Sequence, residues 1–203
     1  MFPFDVILFD VGGVLLTNGW DTRERALAAE HFHLNLPDLE EKHHGVSGAW
    51  ERGKITRDAY LDTAVFYRPR GFTRDEFFNF MLAQSQWLPN GAIGILKQLA
   101  ASNKCMVGAL NNEARETNEY RFASFGLRQY FKIALSSCYL GLRKPDLVIY
   151  QRVLDILGGP PERILFIDDR AENVAGALNA GMRAIQFKNE EQLRDEFANL
   201  GIL

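Results

Sequence analysis

The sequence predicts an α/β protein, a doubly wound parallel sheet with a helical segment inserted after its first strand. Three observations carry that expectation. Short apolar runs rich in β-branched and aromatic residues recur at 6–9, 106–110, 133–135, 164–167 and 184–187. Each of the last four follows a stretch with helical spacing, and alternating strands and helices build a parallel sheet covered on both faces. Between the first run and the second, the chain holds only helical patterns, over a length too great for one crossover. Residues 1–16 and 89–203 are therefore expected to form the α/β core, and 17–88 a helical domain set into it.

Taken in order, the first strand reads Val6-Ile7-Leu8-Phe9, a continuous apolar run of the kind buried on both faces. The insert has helical patterns at 22–32, 36–43, 56–66 and 73–84. The core resumes near Pro89. Residues 91–102 place Ile93, Leu96 and Leu99 at helical spacing. Further helices are expected at 113–125, 145–157, 171–180 and 190–200. Pro145 suits the first position of its helix. Gly158 and Gly181 stand where helix stops belong. The pair Gly158-Gly159 lacks a helix-opening fingerprint and reads as a turn, not a nucleotide loop.

Composition narrows the class. A chain of 203 residues can bury a sizeable core. Hydrophobic residues at 47% and charged residues at 24% are ordinary for a soluble globular protein. A net charge of −3 gives no basic field for nucleic acid. Cys105 and Cys138 fit neither a disulfide framework nor a metal spacing, and read as buried thiols in a reduced compartment. The opening MFPFDVILFD lacks a basic stretch and carries Asp5, so it is a poor secretion signal. No apolar run approaches the ~20 residues of a membrane helix. A cytoplasmic location with no membrane partner is expected.

Ligands of open α/β sheets bind beyond the carboxyl ends of the strands. Asp10 ends the first strand, Asn111 and Asn112 the second, and Asp168-Asp169 the fourth, while Arg143-Lys144-Pro145 opens the helix after the third. All converge on one rim. Three acids in one crevice repel one another unless a cation joins them, and Mg²⁺ is bound through one or two carboxylates plus a phosphate. Lys144 would neutralise a phosphate oxygen or keep Asp10 ionised. A positioned Asp is a competent nucleophile that forms an aspartyl-phosphate. Gly12 and Gly13 let backbone approach a ligand closely.

These residues resemble the haloacid dehalogenase superfamily. FDVGGVL resembles its first motif, ALNNE the second, GLRKPD the third and FIDDRAEN the fourth, in that order along nearly the whole chain. The insert resembles a C1-type helical cap, and AWERGKIT resembles caps of the subgroup related to the phosphatase domain of epoxide hydrolase. The resemblance implies a Rossmann-like core and a Mg²⁺-dependent hydrolase acting on a small phosphorylated metabolite. It implies Asp10 as nucleophile. Mg²⁺ would be held by Asp10, the Gly12 carbonyl and Asp169, with Asp168 nearby or in the outer shell. Lys144 would steady the phosphoryl group, the Asn111 side chain and Asn112 backbone would contact its oxygens, and Asn173 would support the metal site.

Two positions depart from the family pattern. Its phosphatases carry a second Asp two residues after the nucleophile, as general acid and then base, and here that position is Gly12. Such help is typically worth about 10²–10⁴-fold. The second motif has Asn111 in place of Ser or Thr; an amide still donates a hydrogen bond, with altered geometry. Three readings stay open: a phosphohydrolase whose acid is missing or supplied by the cap or substrate; a dehalogenase- or phosphonatase-type hydrolase; and a non-catalytic ligand- or partner-binding member. Dehalogenases work without metal and do not keep an acidic pair. A phosphonatase would use a cap lysine, and nothing marks Lys42 or Lys54.

His31, His33, His43 and His44 lie in the insert without a known metal spacing, and read as solvated or partly packed. Trp20, Trp50 and Trp87 read as packing residues. Trp20 and Asn18 follow the first motif closely enough to reach a substrate.

Overall fold

The computed structural model describes residues 2–203. Five parallel strands form one sheet: β1 (Val6–Phe9), β2 (Met106–Asn111), β3 (Ile133–Ser136), β4 (Ile164–Asp168) and β5 (Arg183–Gln186). Their order is β3-β2-β1-β4-β5, so the first strand is central. Phe9 is level with Ala109 on one side and Ile167 on the other. This register brings the ends of β1, β2 and β4 to one height. β2 and β4 each run one residue beyond the expected apolar span, taking Asn111 and Asp168 into the ladder.

The residues between β1 and β2 form α1 (Thr22–His31), α2 (Leu36–Glu51), α3 (Arg57–Ala64) and α4 (Arg74–Ala83). Their starts are set by side-chain caps at Asp21, Asn35, Thr56 and Thr73, two of them completed as capping boxes by Glu24 and Glu76. α2 continues to Glu51, well past the 43 expected. Gly45 and Gly48 lie inside it, and a helical glycine costs only about 1 kcal/mol relative to Ala. Burial of Leu39 and Trp50 offsets that cost, Trp50 being stacked on Tyr60 with ring centroids 4.1 Å apart.

The core resumes with α5 (Ile93–Ser102), and continues with α6 (Arg115–Ser124), the short α7 (Ser137–Leu140), α8 (Leu147–Leu157), α9 (Ala171–Asn179) and α10 (Glu190–Asn199). Pro145 precedes α8 and is not its first residue, against expectation; Asp146 is the boundary residue. The reason lies in the second motif. Asn112 grips the main chain of Lys144 from both sides, donating to its carbonyl at 2.8 Å and accepting from its N–H at 2.9 Å. Held this way, 143–146 stays a loop.

Strand alternation distributes the core. Ile7 and Phe9 pack on one face with Leu96, Phe122, Leu165 and Phe197. Val6 and Leu8 pack on the other with Tyr150, Val153 and Phe166. The helical insert has a cluster of its own, centred on Tyr60, Leu61 and Phe77. Cys138 is buried and Cys105 only partly so; burial pushes both thiols up to about 11. Among the described residues no helix is long and apolar enough to cross a membrane.

Phe77 is fully buried and meets the rings of Trp20, Phe32 and Phe72. Phe77→Ala is expected to cost about 3–5 kcal/mol, read by urea denaturation. A cost under about 1 kcal/mol would mean that this cluster does not hold the insert together.

Candidate active site

The site is built on the ends of β1, β2 and β4. Asp10 follows β1, and its N–H bonds to the Ile167 carbonyl at 2.8 Å. Its Oδ1 accepts from the Val11 N–H at 2.7 Å, which fixes the carboxylate over the strand end. Lys144 is 1% exposed and reaches the same point from the loop before α8. Its ammonium donates to the Leu110 carbonyl at 2.9 Å and lies 3.0 Å from Asp10 Oδ2 and 2.6 Å from Asp168 Oδ2. Two of its protons go to the Leu110 carbonyl and Asp168 Oδ2, and the Asp10 carboxylate stands beside it as an ion pair.

Asp168 is saturated by the protein. Its Oδ1 accepts from the Arg170 N–H at 2.9 Å and from Asn173 Nδ2 at 3.0 Å. Asn173 is held in turn by Tyr150, whose hydroxyl donates to the Asn173 carbonyl at 2.7 Å. The electrostatics follow from this pattern. Burial pushes the Asp10 carboxyl up to about 8, with Lys144 opposing and Asp168 and Asp169 adding to the rise. Burial acts on Asp168 too, but Lys144, the Arg170 N–H and Asn173 outweigh it, so Asp168 lies below the usual carboxylate range. Asp169 is raised by burial and by Asp168. Burial works against the Lys144 charge, yet its two carboxylates raise it overall.

Asp10, Asp168 and Asp169 each present an oxygen within 4.8 Å of the others. These are hard donors of the kind Mg²⁺ takes. Asp169 Oδ1 is buried and has no hydrogen-bond partner, so one donor stands ready and unused. The residues therefore fit a hard divalent cation. Gly13 makes room for it: its φ is +70°, and a Cβ there would lie 2.2 Å from Asp169 Oδ2.

The second-motif asparagines are placed differently from each other. Asn111 is buried and faces the interior. Its amide nitrogen donates to Asn118 Oδ1 at 2.9 Å, and its Oδ1 accepts from the Ser136 hydroxyl at 2.8 Å. It does not line the cavity, because both ends of its amide are satisfied inside. Asn112 lines the cavity and spends its side chain on the Lys144 main chain. Beside them, Arg121 is 2.6 Å from Glu113 Oε2 and donates to the carbonyls of Thr17 and Asn18. At Gly12, a Cβ would lie 2.8 Å from Asn18 Oδ1 and 3.6 Å from Arg121 Nη1. The space where a side chain would start is bordered by an amide and a guanidinium.

Above Asp10 lies a cavity of about 430 Å³, lined by Asp10, Gly12 and Lys144 below and by Trp20, His43, Trp50 and Glu51 from the insert. Asn18 also lines it. His31, His33 and His44 are exposed, as the sequence suggested. His43 is half-buried, one of the partly packed histidines. The Trp20 indole N–H donates to the Tyr60 hydroxyl at 2.8 Å, and the same hydroxyl is hydrogen-bonded to His43 Nδ1, also at 2.8 Å. Burial and Arg25 hold the His43 imidazole down to about 3, so it is neutral. A helix extended to Glu51 would have placed His43, Ser47 and Glu51 on one face, and with it this signal was available in the sequence. Trp87 is 43% exposed, with one edge against Phe125.

Comparison with known proteins gives a consistent picture. The family model "Hydrolase: haloacid dehalogenase-like hydrolase" matches residues 4–181. The chain is 28% identical over 199 residues to drimenol cyclase drtB of Aspergillus calidoustus, covering 96% of this chain and 36% of that protein. It is 29% identical over 201 residues to phosphatase MT3486 of Mycobacterium tuberculosis, covering 93% and 89%. Against mouse bifunctional epoxide hydrolase 2 the identity is 36% over 203 residues, covering 91% and 36%. The chain thus spans about a third of two of these relatives. A haloacid dehalogenase family enzyme of Bacteroides thetaiotaomicron, solved with magnesium and inorganic phosphate, superposes with a TM-score of 0.79 at 21% identity, over 96% of this chain and 99% of that one. That likeness concerns the fold.

Removing Lys144 would leave two buried carboxylates without their cation. Lys144→Met is expected to cost about 3–5 kcal/mol near pH 9. The sign with pH follows from Asp10, whose carboxyl stands near 8 even with the lysine in place. The folded state then keeps a proton that the unfolded chain releases, so the variant loses stability as pH rises. Urea denaturation at about pH 5 and about pH 9 should show the smaller deficit at the acid end. An equal deficit at both would sink the charge argument.

Proposed function

The chain belongs to the haloacid dehalogenase-like hydrolases, and from that premise we propose that it is a Mg²⁺-dependent phosphohydrolase acting on a small phosphorylated molecule through Asp10. One observation carries the reading. Asp10 stands fixed beneath the cavity, with Lys144 at 3.0 Å and an Asp169 oxygen nearby that no protein group satisfies. A phosphatase among the relatives, matched over nearly its full length, supports the same chemistry.

In this reading Asp10 attacks phosphorus and becomes an aspartyl-phosphate, which water then hydrolyses. Lys144 is shared between Asp10 and the phosphoryl oxygens. Asp168, tied to Lys144 and Asn173, orients the lysine. Mg²⁺ would be held by Asp10, Asp169 and the Gly12 carbonyl, with Asp168 outside them; when bound it neutralises the acids and the phosphate charge. Asn112 acts by clamping the Lys144 loop, while its main chain borders the phosphoryl site. Residues 17–88 act as a cap that closes over the substrate and excludes water. Two unpaired thiols suit a cytoplasmic setting. A phosphonatase-type lysine finds no support: Lys42 pairs with Asp38 and Lys54 is exposed, and neither lines the cavity.

The test is release of phosphate from p-nitrophenyl phosphate. Wild type is expected to need Mg²⁺, and Asp10→Asn to fall to background. Substantial turnover by Asp10→Asn would exclude the covalent role. Asp169→Asn should raise the Mg²⁺ concentration for half-maximal activity by at least about tenfold. Unchanged metal dependence would remove Asp169 from the metal site.

A further inference from the structure

The loop after β1 offers no acid for the leaving group, since the position two residues past Asp10 is Gly12.

The proton donor must come from elsewhere in the cavity. His43 is excluded, because its half-buried imidazole is held neutral and the N–H of a neutral imidazole is too weak an acid to protonate the leaving group. Among the cavity carboxylates, Glu113 has both oxygens engaged, by Thr117 at 2.7 Å and Arg121 at 2.6 Å. Asp21 caps α1 and pairs with Arg170 at 3.1 Å. Glu172 is exposed. Glu51 differs from all of these. Its Oε2 is buried without a hydrogen bond. Arg143 Nη2 approaches to 3.1 Å but out of hydrogen-bonding line.

Position favours Glu51 too. It is the last residue of α2, the point where the insert meets the core. Its carbonyl accepts from the Ser137 hydroxyl at 2.7 Å, and the same hydroxyl accepts from the Glu113 N–H at 2.9 Å. The main chain of Glu51 is thereby tied to the second-motif loop. Arg143, beside it, directly precedes Lys144 in the chain.

We propose that Glu51 is the general acid and base of this enzyme, supplied from the insert in place of the missing acid at position 12. The assignment rests on the phosphohydrolase reading above. In the first step the Asp10 carboxylate forms a bond to phosphorus, the bond from phosphorus to the leaving oxygen breaks, and the Glu51 carboxyl gives its proton to that oxygen. In the second, water attacks phosphorus and gives a proton to the Glu51 carboxylate, and the Asp10–phosphorus bond breaks. The sum is phosphate ester plus water to alcohol plus phosphate. Burial and the facing charge of Glu113 raise the Glu51 carboxyl, against Arg143, Arg170 and Arg52, which suits a group that must start protonated.

The experiment compares p-nitrophenyl phosphate, whose leaving group departs without a proton, with phenyl phosphate, whose leaving group needs one. First-turnover release is measured for wild type, Glu51→Gln and Asp10→Asn. Glu51→Gln is expected to slow phenol release about 10²-fold and p-nitrophenol release less than about threefold. The retained p-nitrophenol burst also reports an intact site. The decline of phenyl phosphate turnover at alkaline pH should vanish in the variant. Equal loss on both probes, or no loss on either, overturns the role of Glu51. Wild type that releases neither phenol in an Asp10-dependent way overturns the phosphohydrolase reading, and the assignment with it.

Discussion

Lys144 lies buried between Asp10 and Asp168 and joins three strand ends through one ammonium group: Asp10 after β1, the Leu110 carbonyl of β2 and Asp168 of β4. Burying a charge costs several kcal/mol, and only full pairing and hydrogen bonding repay it. The surroundings are arranged to meet that condition. Asn112 holds the lysine's main chain, Asn173 and the Arg170 N–H hold Asp168, and Tyr150 holds Asn173. Yet one ammonium does not balance three acids. Asp10 is raised and Asp169 is raised, and an Asp169 oxygen has no partner. A divalent cation supplies the charge the cluster lacks, so the strain on these acids and the capacity to bind metal are the same feature.

Much of this was legible in the sequence because strand-end chemistry is local. A parallel sheet aligns strand ends, so Asp10, Lys144 and Asp168-Asp169 had to share a rim once the strands were recognised. Side-chain direction is not local. Asn111 and Asn112 are adjacent, yet one amide turns inward to Asn118 and Ser136 while the other clamps the third motif, and only the packed structure separates them. The length of α2 was hidden for a different reason. Local propensity at Gly45 and Gly48 disfavours helix, and burial of Trp50 on Tyr60 overrides it. Stopping the helix early also hid the face carrying His43 and Glu51.

Three ion pairs, Asp21–Arg170, Glu51–Arg143 and Arg52–Asp146, cross the seam between insert and core, beside the apolar contact of Ala114 with the insert's cluster. Exposed ion pairs contribute about 0–1 kcal/mol each. The Glu51 carbonyl, held by Ser137, is the point on the insert side tied most directly to the second-motif loop.

The two glycines after Asp10 have separate causes. Gly13 is set by backbone and by Asp169, since its φ of +70° and the carboxylate behind it leave no room for a Cβ. Gly12 has an ordinary φ, and what borders it is Asn18 and the guanidinium of Arg121. That guanidinium is engaged with Glu113 and with the carbonyls of Thr17 and Asn18, where the chain leaves the first motif for the insert. A Cβ at 12 would meet the Asn18 side chain at 2.8 Å, so glycine at this position leaves undisturbed the turn that Arg121 fixes at the entry to the insert.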